Sequence, residues 1–120
     1  MFTPTPSALL RWAVLYFITG VSLGLYMAAS HDYAIAPVHA HLNLIGWVSL
    51  ALAALIYKAY PAAAASPLAK VHFWLNIVSL PVLAAMLYAF LRGNTAIEPV
   101  LALSSFAIGF AALALLVNVL

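Results

Sequence analysis

Cysteine is absent from this chain, which excludes disulfides, thiolate metal ligands and iron–sulfur clusters. Charge is nearly absent too, with four Lys or Arg and two Asp or Glu among 120 residues. A soluble domain carries about a quarter of its residues as charges, so water is not the main solvent of this surface. The only acids are Asp32 and Glu98, and no nucleophile–base–acid set exists for hydrolytic catalysis. A net charge of +2 is too slight for nucleic-acid binding. What is present is hydrocarbon: 68% of residues are hydrophobic and the mean hydropathy is +1.18. This composition describes one integral membrane domain over residues 1–120.

Four apolar segments of spanning length follow one another, at about 8–29, 37–58, 68–91 and 96–118. Met1 to Ser7 is a short polar lead in which Thr5 or Ser7 can cap the first helix and Pro6 can start it. The first segment is too long for a signal-peptide core and has no small-residue cleavage site after it, so it reads as a retained helix. It contains Gly20-Val21-Ser22-Leu23-Gly24, a spacing that permits close helix approach. Pro37 opens the second segment, where its missing N–H costs nothing, and Pro81 inside the third predicts a kink. Short connections imply an all-α, up-down four-helix bundle. Lys58 and Lys70 bracket one loop and Arg11 lies near the same side, so the positive-inside rule places both termini in the cytoplasm. Arg92 is then the one base on the outer side, with Asp32 and Glu98.

Two histidines stand near the start of the second apolar segment, in Pro37-Val38-His39-Ala40-His41-Leu42-Asn43-Leu44-Ile45-Gly46-Trp47, whereas most other polar residues lie near segment ends or in the connections. Positions two apart on an α-helix point about 200° away from each other. His39 and His41 therefore face opposite flanks and do not grip one ion from a regular helix. Each flank must meet protein or cofactor, because a polar side chain facing lipid is costly. Asn43 lies one turn beyond His39 on the same face, a candidate hydrogen-bond partner for it. Gly46 removes a side chain two turns beyond His39, where a flat macrocycle can lie close. His72 starts the third segment at the other membrane face, about 30 Å from His39, and cannot share a cofactor with it inside one subunit. His31 lies in a connection. Both read as interfacial histidines. Tyr16, Tyr26, Trp47, Trp74 and Phe90 can line a cofactor, but aromatic residues also line membrane interfaces.

The stretch Pro37-Val38-His39-Ala40-His41-Leu42-Asn43 resembles the helix of heme–copper oxidase subunit I that supplies axial histidines, and also the related membrane proteins of nitric-oxide response. His72-Phe73-Trp74-Leu75 is similar to a stretch near the start of the eleventh helix in the C-type oxidases. The resemblance spans about half of the chain. It implies a bacterial inner-membrane protein equivalent to one of the three four-helix arcs of subunit I. It further implies a homo-oligomer, a trimer above all, holding heme b between subunits with His39 and His41 as axial ligands. Arg92 occupies the loop whose arginines pair with heme propionates in that family, and a carboxylate suits its guanidinium. The departures are a second histidine pair, a His–Tyr crosslink motif and a glutamate-bearing proton channel, all missing here. A complete oxidase is therefore not expected of this chain alone, and electron transfer or binding of nitric oxide or oxygen is.

Two other readings compete. One gathers His31, His39 and His41, aided by Met27 or Asp32, into a copper or zinc site at the outer surface, which needs an irregular helix start. The other makes the chain an accessory or assembly subunit of a larger respiratory complex, with its histidines merely packing.

Overall fold

The computed structural model describes residues 5–120, so Met1–Pro4 of the expected lead lie outside the described residues. Four helices are long and apolar enough to cross a membrane: α1 (Pro6–Ser30), α2 (Ala36–Ala59), α3 (Pro67–Leu91) and α4 (Thr95–Val119). Each agrees with its expected segment to within a residue or two. Thr5 caps α1, its Oγ1 accepting from the Ala8 N–H at 3.0 Å. Ser66 does the same for α3, accepting from Leu68 at 3.2 Å. A short helical turn, Pro61–Ala64, lies between α2 and α3. The last connection turns on Gly93, at φ 100°, where a side chain would be strained. Asn94 then caps α4, whose first turn is a 3₁₀ helix (Thr95–Ile97).

Each span buries at most 33% of its most apolar window inside the chain. The remaining apolar surface, such as Leu103 and Phe106 on α4, is exposed. Hydrocarbon is the solvent that tolerates such a face. The buried core joins Leu9, Ala13 and Tyr16 of α1 to Leu50 and Tyr57 of α2 and Leu80 of α3. α1 packs along α2, and α3 along α4, to the same extent.

The second span is not a uniform α-helix. Leu42–Val48 forms a π-helical turn immediately after the two histidines, and the Ser49 N–H bonds to the Leu44 carbonyl five residues back. Val38, Leu42, Gly46 and Leu50 are all buried, at steps of four. Each such step overshoots an α-helical turn by about 40°, and the wider π turn takes up the drift. One stripe of α2 thereby stays on its neighbours.

The proline expected to kink α3 has a different consequence. Pro81 has no N–H to give the Ile77 carbonyl, and α3 nevertheless runs unbroken from Pro67 to Leu91. The Tyr16 hydroxyl of α1 donates to that carbonyl at 3.0 Å, in a buried contact. A side chain on one helix thus replaces the backbone donor missing from another. Tyr16→Phe is expected to destabilise the fold by about 1 kcal/mol, the cost of an orphaned buried carbonyl. In Pro81→Ala the restored N–H competes for the carbonyl, and the same change at Tyr16 should cost little. A double-mutant cycle measured by unfolding in one detergent checks this; equal costs in both backgrounds would refute the coupling.

Candidate functional site

The paired glycines of α1 receive the polar residues of α2. A methyl group at Gly24 would come within 2.9 Å of His39 Cε1, and one at Gly20 within 2.6 Å of Asn43 Nδ2. Only glycine lets these side chains lie so close to the α1 backbone. His39 then reaches the Gly20 carbonyl with Nδ1, at 2.6 Å. A carbonyl has no proton to give, so Nδ1 carries the hydrogen and donates it. The tautomer is thereby set, and Nε2 keeps its lone pair. Asn43 adds support one turn along, its Nδ2 donating to the His39 carbonyl at 2.9 Å. Its 3.2 Å approach to Nδ1 is then a contact between two donors, so Asn43 orients its turn without bonding the ring.

His41 is arranged alike on the other flank. Its Nδ1 donates to the Pro37 carbonyl, four residues back, at 2.7 Å. Its side chain lines a small surface hollow of about 160 Å³ with Ala40, Leu44 and Ile45. Neither Nε2 is a buried orphan, and no described residue bonds either one. Two half-buried imidazoles thus present unpaired Nε2 atoms from opposite sides of one helix start. A backbone carbonyl behind Nδ1 fixes ring orientation and raises the basicity of the other nitrogen. Such a donor set fits an iron or another metal that takes neutral imidazole.

Two other expected site residues sit differently. The space beside Gly46 is filled: an added Cβ there would lie 2.5 Å from Tyr16 Cβ and 3.0 Å from Leu80 Cδ2. Gly46 therefore serves helix packing, and no macrocycle has room against it within this subunit. Arg92 does meet a carboxylate, but one from its own chain, with Nη2 at 2.7 Å from Asp32 Oδ2. The guanidinium also stands over the Tyr88 ring at 5.2 Å. Any further anion must share Arg92 with Asp32.

That pair sets a testable pH response. The Arg92 hydrogen bond, with a smaller one from the Ala34 N–H, holds the Asp32 carboxyl below its ordinary 3.8, and Arg92 is raised in return. A depressed carboxyl contributes stability above its unfolded-state value and loses it as the pH falls through the folded one. The pair is therefore intact at neutral pH and dissolves only in acid below 3.8. In Arg92→Gln, a carbon-13 titration of Asp32 is expected to move up toward 3.8; an unchanged titration would show that Arg92 does not hold it.

The outer-surface copper or zinc cluster is not assembled. Among the described residues no three His, Asp or Glu side chains come together. His31 is instead the left-handed cap of α1, at φ 55°, while Asp32 is engaged by Arg92.

His72 is the residue whose surroundings differ most from expectation. It is 1% exposed, not interfacial, and its Nδ1 lies 3.2 Å from the Tyr57 hydroxyl. Asn76, one turn along α3, is buried beside it. The spacing of His72 and Asn76 on one helix face was the available signal; nothing local in the sequence pointed to Tyr57.

With four spans and a polar seam between two of them, the chain is a multi-pass membrane protein. No protein-family model, curated protein or solved structure matches it.

Proposed function

We propose that this protein binds heme b in a bacterial inner membrane and works in electron transfer or in handling nitric oxide or oxygen. In this reading the four spans form an up-down bundle with both termini cytoplasmic, and several copies associate, three being the favoured number. Each heme lies between subunits, held by His39 of one copy and His41 of the next. The observation that carries the proposal is the matched pair of imidazoles: each Nδ1 donates to a backbone carbonyl, at 2.6 Å and 2.7 Å, and each Nε2, on an opposite flank, is unpaired among the described residues. A single subunit cannot close both nitrogens on one iron, whereas a ring of subunits can.

Heme held by two imidazoles is a one-electron carrier with no open coordination position. The chain's own contribution is to fix both tautomers, through the Gly20 and Pro37 carbonyls, and to exclude water with the apolar faces of its spans. Arg92 stands at a span end, where a cofactor carboxylate would compete with Asp32 for its guanidinium.

The deciding measurement is an absorption spectrum of protein purified after heme-supplemented expression, oxidised and then reduced by dithionite, with and without carbon monoxide. A Soret band with sharp reduced α and β bands, unmoved by carbon monoxide, is expected. A carbon-monoxide shift would assign the site to gas binding through a labile ligand. Absence of any Soret band would overturn the proposal.

A further inference from the structure

A groove of about 340 Å³ runs between α2, α3 and α4, sharing Ile45 with the hollow beside His41. Its walls are mostly aliphatic, with Ile45 and Ile56 of α2 facing Ile108 and Leu115 of α4. Three polar side chains line it as well, Ser49 of α2 and His72 and Asn76 of α3. Asn76 is 3% exposed, and its Oδ1 is buried with no hydrogen-bond partner among the described residues. In hydrocarbon such an acceptor has no water to turn to.

The protonation of His72 follows from its neighbour. The buried Tyr57 hydroxyl has His72 Nδ1 within reach at 3.2 Å. A phenol O–H is a stronger donor than an imidazole N–H, and an imidazole nitrogen a stronger acceptor than a phenol oxygen, so the Tyr57 hydroxyl donates to Nδ1. The neutral ring then carries its hydrogen on Nε2, which no described residue accepts. One turn of α3 thus offers the groove an unpaired donor, His72 Nε2–H, and an unpaired acceptor, Asn76 Oδ1.

A hydroxyl is the simplest group that satisfies both, donating to Asn76 Oδ1 and accepting from His72 Nε2–H. The aliphatic walls call for an apolar body behind it, and a groove of this size suits a small ligand. We infer that this groove binds a membrane-soluble molecule with an apolar body and a hydroxyl head, of the phenol class. A hydroquinone carrier and a lipid alcohol both present that head. The inference stands whether or not the protein carries heme.

The test uses the full chain in lipid nanodiscs and saturation-transfer NMR. para-Octylphenol supplies the hydroxyl head, and octylbenzene has the same body without it. The phenol is expected to bind about tenfold more tightly, the worth of one well-placed hydrogen bond in a dry site. Asn76→Leu removes the orphaned acceptor while keeping an apolar side chain of similar size. It is expected to fold at least as well as the parent and to erase the difference between the probes. His72→Phe, which removes the donor, should weaken the phenol in the same direction. Competition by dioctanoylglycerol would support the hydroxyl site and assign its source to lipid alcohols. Competition by a short-tailed hydroquinone alone would support it and assign a redox carrier. Equal binding of phenol and octylbenzene, a phenol preference surviving in Asn76→Leu, or no binding of either probe would overturn the inference.

Discussion

Alanine at His41 is expected to give a folded, membrane-inserted protein that has lost at least tenfold in heme affinity, with the Soret band gone at stoichiometric heme. Among the described residues His41 bonds only to its own helix, through the Pro37 carbonyl, and it lines an open hollow. Its removal should therefore shift stability by no more than about 0.5 kcal/mol. His39→Ala should abolish the band as well, with a structural cost added, because the ring fills the space over Gly24. Soaking exogenous imidazole into His41→Ala is expected to restore a six-coordinate spectrum, which a merely misfolded variant would not show. Coexpressing the two variants separates ligation between subunits from ligation within one. If each heme takes His39 from one copy and His41 from the next, random mixing rebuilds about a quarter of the interfaces. Sites confined to one chain would recover nothing. A full Soret band in both single variants would end the assignment of these histidines as ligands.

The four spans were legible because hydropathy over spanning length is the strongest signal a membrane sequence carries. Thr5 and Pro37 stand at helix starts for the local reasons that made them recognisable. The opposite flanks of His39 and His41 were legible as well, since both residues precede the π turn and keep α-helical spacing. The π turn itself was not. It is visible only as burial at every fourth position from Val38 to Leu50, and a nearly all-apolar segment hides which positions are buried. Partners distant in sequence were equally hidden. The glycine pair of α1 announced a close approach but not its occupants, Asn43 and His39. Pro81 announced a missing donor but not Tyr16, which replaces it from another helix. Gly46 suggested room for a cofactor because a glycine shows only that a side chain is absent; Tyr16 and Leu80 take the space. Arg92 called for a carboxylate, and Asp32, sixty residues earlier in the sequence, reaches it first.

Gly46→Ala is expected to be the most damaging single methyl that can be added to this chain. Its Cβ would lie 2.5 Å from Tyr16 Cβ and 2.6 Å from Tyr16 Cγ. Those atoms sit next to the α1 backbone, so no rotamer change removes the clash, and α1 and α2 must move apart. Overpacking of this kind costs about 1–3 kcal/mol. The separation also draws the Tyr16 hydroxyl away from the Ile77 carbonyl and the Gly20 carbonyl away from His39 Nδ1. A loss of stability and a loosened His39 should therefore appear together. Gly109→Ala is the control, because nothing lies within 4 Å of its added Cβ. There the substitution should be neutral or stabilising by about 0.5–1 kcal/mol, the ordinary gain of alanine over glycine inside a helix. Unfolding both variants in the same detergent compares them directly. Equal stability would mean that Tyr16 does not press on Gly46, and that the seam holding His39 is looser than the structure has it.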